Sequence, residues 1–118
     1  MKLNDEQLKH FDDEGYIVIP ELLSTKEVAV LKGEVPGIFS QKRKENVREK
    51  TGNVVRTAFA AHTYNNVYSR FIRHPRILKP GMQMLGDDLY IHQFKLNGKA
   101  AFDGDVWQWH QDFGVWHR

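Results

Sequence analysis

His110 and Asp112 lie one residue apart in the stretch Val106-Trp107-Gln108-Trp109-His110-Gln111-Asp112-Phe113. An imidazole nitrogen and a carboxylate oxygen can each give a lone pair to the same metal ion. The stretch is rich in aromatic and β-branched residues and meets no Gly or Pro until Gly114, a pattern that predicts a strand. Strand side chains alternate faces, so both donors are expected side by side. Such a pair is two-thirds of the 2-His-1-carboxylate facial triad, which holds non-heme Fe(II) with positions left open. A bare His-x-Asp also occurs as a surface or capping pair, and by themselves these two residues leave both readings open.

Upstream, Leu89 to Asn97 also reads as a strand. Alternation puts Leu89, Ile91, Gln93, Lys95 and Asn97 on one face and Tyr90, His92, Phe94 and Leu96 on the other. The first face turns polar towards its end, and the row Gln93, Lys95, Asn97 suits either a solvent face or a pocket wall. Trp107, Trp109 and His117 fall opposite His110 on a regular strand; the two Trp are assigned to packing and His117 is not taken as a further ligand. His62 is read as a loop or core residue rather than a ligand.

The elements that must position these residues begin with a helix at Asn4, a good N-cap followed by Asp5 and Glu6, with a Leu3–Leu8 staple and Gly15 as its stop. Tyr16 to Ile19 predicts a short strand ended by Pro20. Ser24 and Glu27 form a capping box for a second helix with Val28, Leu31, Val35, Ile38 and Phe39 on one face, and Pro36 predicts a kink or early end. Gln41 to Asn53 reads as a solvated loop or a lid, and Val54 to Phe59 as a strand. Asn65 or Asn66 caps a helix through Phe71, His74-Pro75 interrupts it, and Arg76 to Leu85 is a short helix bent at Pro80 and Gly81.

A chain of 118 residues is one domain at most, and 41% apolar with 12% aromatic residues permits a packed core. A net charge of +2 gives no reason to expect nucleic acid or an anionic membrane as a partner. The lack of cysteine excludes disulfides and thiolate metal sites and fits a cytoplasmic location. The N-terminal residues lack the apolar core of a signal peptide, and no apolar run is long enough to span a bilayer.

Three segments together resemble the phytanoyl-CoA dioxygenase family, in its ectoine-hydroxylase-like branch: Phe11-Asp12-Asp13-Glu14-Gly15-Tyr16-Ile17-Val18-Ile19-Pro20, Tyr90 to Asn97, and Trp109 to His117. The resemblance implies an α+β, mainly β fold, a double-stranded β-helix (jelly-roll, cupin-like) with N-terminal buttressing helices. It implies an Fe(II)- and 2-oxoglutarate-dependent dioxygenase that hydroxylates a small molecule with O2, releasing succinate and CO2, with ascorbate as a possible support. His110 and Asp112 would hold the metal, Lys95 and Asn97 would bind 2-oxoglutarate, and Gln93 and Trp116 would contact substrate. The branch can carry Arg where this chain has Lys95, which replaces a bidentate fork with a point charge. Halogenating relatives lack the metal carboxylate, so Asp112 favours hydroxylation. The family pattern also needs a second metal His and a distal Arg downstream. Residues 1–118 are therefore expected to be the N-terminal part of a single dioxygenase domain, incomplete as a jelly-roll and inactive alone. The rival expectation is a non-catalytic metal- or ligand-binding module or truncated fragment. Oligomeric state is not legible.

Overall fold

The computed structural model describes residues 1–50, 53–101, 104 and 106–112. Helices and a small sheet make an α+β arrangement: α1 (Asp5–Glu14), α2 (Thr25–Phe39), β1 (Asn46–Arg48), β2 (Val55–Phe59), a 3-10 turn (Ala61–Thr63), α3 (Asn66–Phe71), α4 (Pro75–Leu85) and β3 (Lys95–Asn97). The sheet is antiparallel in the order β1-β2-β3. Among the described residues, no helix is long and apolar enough to cross a membrane.

The helix ends lie where the capping residues put them. Asn4 accepts from the Gln7 N–H while Gln7 reaches back to the Asn4 N–H, and Gly15 closes α1 in the left-handed region at φ 78°. Ser24 and Glu27 form the same reciprocal box on α2. Asn65 caps α3, and His74 caps α4 through Nδ1, which accepts from the Arg76 N–H at 3.2 Å, with Pro75 following as the first helical residue. Both Pro36 and Pro80 lie inside helices that continue past them. Pro36 lies near the end of α2, where its carbonyl still accepts from the Ser40 N–H at 3.0 Å. Pro80 is buried within a continuous α4.

The core lies between the sheet and α2–α3, built from Ile38, Ala58, Ala61 and Tyr68, with Leu31, Phe39, Phe94 and Leu96 against it. Ala58 and Ala61 let the layers approach closely, and the Tyr68 hydroxyl donates to the Leu31 carbonyl at 2.9 Å, satisfying a buried polar group. Gly98 follows β3 because a Cβ there would meet the Val55 carbonyl and the Phe39 ring at 2.9 Å. At the far edge, the Gln83 amide accepts from the Leu3 N–H at 2.7 Å and donates to the Leu3 carbonyl at 3.1 Å, tying the N-terminus to α4.

Four expectations are corrected. Tyr16 to Ile19 has no pairing partner and forms no strand; Tyr16 and Val18 are exposed. Gln41 to Asn53 is not a plain loop, since it contains β1. Asn46 supplies the reason: its Nδ2 donates to the carbonyls of Ile38 and Gln41 at 2.8 and 2.9 Å, anchoring β1 to the end of α2. In 89–97 only Lys95–Asn97 is strand, because β2 ends opposite Lys95 and Ala60 then turns left-handed at φ 53° into the 3-10 turn. The Ala60 N–H donates once more, to the Phe94 carbonyl, and beyond that residues 89–93 have no strand beside them. Finally, 106–111 forms no strand.

Two predictions follow from this framework. Asn46→Ala removes both anchoring bonds from a buried position, and a loss of about 1–3 kcal/mol is expected in urea unfolding. The second concerns Glu27. Its carboxyl is held at about 2, below the ordinary 4.5, by the Ser24 N–H and hydroxyl and by Arg76, which also donates to the Leu22 carbonyl. A folded value below the unfolded one stabilises the fold fully above about pH 4.5, and the gain is lost as pH falls towards 2. Glu27→Gln should therefore be less stable than the parent at pH 6, with the gap in melting temperature closing across that acid window. A constant gap would exclude the linkage.

Candidate functional site

The pairing of β2 with β3 sets Thr57 opposite Asn97 and Phe59 opposite Lys95. Lys95 and Asn97 thus share the face turned away from the core, while Leu96 lies opposite Ala58 and packs inward. Of the expected polar row, Lys95 and Asn97 are aligned on β3, and Gln93 lies before the strand. Thr57, which the sequence reading did not single out, donates its hydroxyl to Asn97 Oδ1 at 3.0 Å. With that oxygen engaged, Asn97 is oriented to present its amide N–H groups. The row therefore offers cationic and neutral donors, which complement an anion.

Gln93, Lys95 and Asp112 line one cleft of about 640 Å³, whose apolar wall includes Phe71, Ile77, Leu78 and Ile91. Gln93 is exposed at its mouth. Of the residues singled out in the sequence, Gln93, Lys95 and Asp112 thus share this cleft, while Asn97 and His110 lie outside its lining.

His110 and Asp112 are adjacent although the strand expected to align them is absent. His110 Nε2 stands 3.3 Å from Asp112 Oδ1, and both side chains are open to solvent. His110 Nδ1 is 2.6 Å from the Gln108 carbonyl, so this nitrogen donates and the Nε2 lone pair is turned towards the carboxylate. Two lone-pair donors at that separation repel unless a proton or a cation stands with them. A proton makes an ion pair. A metal ion held between them would take the imidazole and the carboxylate as two of its ligands. The donor set and the backbone-fixed tautomer fit a hard or borderline divalent ion such as Fe(II). Among the described residues, no group of three or more His, Asp or Glu side chains that could hold a metal comes together.

Trp107 packs under Arg56, but Trp109 is fully exposed, against the expectation that both serve packing. Trp116, the other expected substrate contact, and His117 lie outside the described residues. His62 stacks on Phe94 with ring centroids 5.2 Å apart and its Nδ1 buried, a core placement as expected. Thr57 and Arg56 enter only through contacts across the fold, which no local pattern marks, whereas the Gln108 carbonyl meets His110 two residues along the chain.

Solved structures resemble this fold closely. EctD from S. alaskensis, in the crystal structure with 2-oxoglutarate and 5-hydroxyectoine, superposes with a TM-score of 0.90 at 33% identity, over 98% of this chain and 42% of that one. EctD with bound Fe superposes with a TM-score of 0.89. In sequence, the chain is 36% identical over 115 residues to an L-proline trans-4-hydroxylase from Streptomyces griseoviridis, covering 98% of this chain and 42% of the relative. It is 34% identical over 121 residues to an ectoine dioxygenase from Bordetella bronchiseptica, covering 39% of it. The chain thus spans about two-fifths of the length of these relatives. Residues 11–118 match the model of the phytanoyl-CoA dioxygenase (PhyH) family, and the chain belongs to that family.

Proposed function

We propose that residues 1–118 are the N-terminal part of an Fe(II)- and 2-oxoglutarate-dependent dioxygenase domain of jelly-roll type, which hydroxylates a small polar molecule in the cytoplasm. The observation that carries this is the His110–Asp112 pair, with Nε2 and Oδ1 3.3 Å apart and Nδ1 committed to the Gln108 carbonyl. Relatives named as ectoine dioxygenase and L-proline trans-4-hydroxylase support the same chemistry.

On this reading His110 and Asp112 supply two of the protein donors to iron. The chemistry that iron and 2-oxoglutarate bring to such a site is oxygen-dependent hydroxylation of an unactivated carbon, with release of succinate and CO2. The chain's own residues bind and orient. Lys95 sets an ammonium against a carboxylate of 2-oxoglutarate, a charge-assisted contact stronger than a neutral one. As a point charge it fixes direction less tightly than a guanidinium fork. Asn97, held by Thr57, adds amide donors to the same anion. Gln93 meets polar groups of the substrate at the cleft mouth, with Trp116 as a second contact. The apolar wall at Phe71, Ile77 and Leu78 excludes water on that side, which strengthens each charged contact.

The metal assignment is tested with anaerobic Fe(II) and 2-oxoglutarate added to the protein as its gene encodes it. A weak visible charge-transfer band is expected, and His110→Ala should abolish it; a mutant that keeps the band and its iron affinity refutes the assignment. For Lys95→Ala, 2-oxoglutarate affinity should fall about ten-fold or more while Fe(II) affinity is unchanged, as expected on losing a hydrogen bond to a charged group. Equal dissociation constants for 2-oxoglutarate in mutant and parent would return Lys95 to the solvent face.

A further inference from the structure

Residues 106–111 form no strand, so no backbone ladder fixes where His110 stands. A side-chain stack reaches this stretch from the sheet. Arg56 on β2 sets its guanidinium carbon 4.4 Å from the centre of the Trp107 ring, well within cation–π range. The same guanidinium lies 3.4 Å from Glu49 Oε2, and the Glu49 side chain is 3% exposed. A carboxylate so deeply placed requires its counter-charge and gives the guanidinium little freedom to leave. Arg56 is itself anchored in the centre of the sheet, where its carbonyl accepts from the Gly98 N–H at 2.9 Å. One residue beyond Trp107, the Gln108 carbonyl accepts from His110 Nδ1. A continuous line of contacts therefore runs from Glu49 through Arg56 and Trp107 to the imidazole.

We infer that Arg56 is a positioning residue: by stacking on Trp107 it holds the segment that carries His110 and Asp112 in the orientation that admits a metal ion. The inference rests on the reading that this pair binds Fe(II). Arg suits the task where Lys would not. Its planar face lies over an indole while its edge meets a carboxylate, and an ammonium cannot do both with the same geometry.

The test is Mn(II) affinity, read from the electron paramagnetic resonance of the unbound ion, together with the melting temperature of the metal-free protein. Arg56→Leu removes a counter-charge from the buried Glu49 and threatens the fold, so Trp107→Leu, which keeps that ion pair, is the deciding variant. Trp107→Leu should weaken Mn(II) binding about ten-fold, the scale on which residues behind metal ligands act, with the melting temperature close to the parent's. Trp107→Phe, which restores an aromatic face, should recover most of the affinity. Parent affinity in Trp107→Leu overturns the inference while leaving the metal reading intact. An equal loss in Trp107→Phe, accompanied by a matching fall in melting temperature, also overturns it, because the ring would then serve general packing. A parent that binds no Mn(II), or a His110→Ala variant that binds it as tightly, overturns the metal reading and the inference together.

Discussion

The pairing of β2 with β3 is the constraint on which the rest depends. Three residue pairs, Thr57 with Asn97, Ala58 with Leu96 and Phe59 with Lys95, decide which side chains of β3 face the core and which turn away from it, Lys95 towards the cleft. A slip of one residue would turn every side chain over, burying the Lys95 ammonium against Ile38 and Tyr68 and exposing Leu96. The hydrophobic cost of exposing Leu96 and the desolvation cost of burying Lys95 act in the same direction. A ladder this short can therefore hold one register, because the two faces of β3 differ so much in chemistry. Gly98 reinforces the arrangement, since its hydrogen bond to Arg56 brings the end of β3 close enough to Val55 to leave no room for a side chain.

The helices carry the sheet, and they do so through shared residues. Asn65 caps α3 and also donates to Glu34 on α2 at 2.6 Å. Glu27 closes the box at the start of α2 and also meets Arg76 from the first turn of α4. Each of these residues sets a helix end and a helix–helix contact at once, so local and tertiary preferences agree. The cleft inherits this order, because α3, α4 and the chain that follows them form its apolar wall.

What the sequence made legible was local. Caps at Asn4, Ser24 and Asn65, the stop at Gly15, and the alternation that sets Lys95 and Asn97 on one face all depend on residues close in the chain, and all recur in the structure. What escaped was pairing across the fold. β1 is built around Asn46, a residue poor in strand propensity that is held by helix carbonyls. The strand-like composition of 106–111 does not make a strand among the described residues. His110 and Asp112 still meet, because the Gln108 carbonyl orients the ring by a local bond that needs no strand. The family likeness located these residues through motif order, which does not depend on how the intervening backbone runs.

The two-point clasp between the Gln83 amide and Leu3 has a bearing on how the chain comes into being. Its halves lie 80 residues apart, and α1 buries none of its own residues. During synthesis at roughly 5–20 residues per second, the N-terminal segment is made on the order of ten seconds before its partner. Throughout that interval Leu3 has no seat on α4, and α1 rests on its local caps and the Lys9–Asp13 pair. α1 is thus made well before the helix on which it docks.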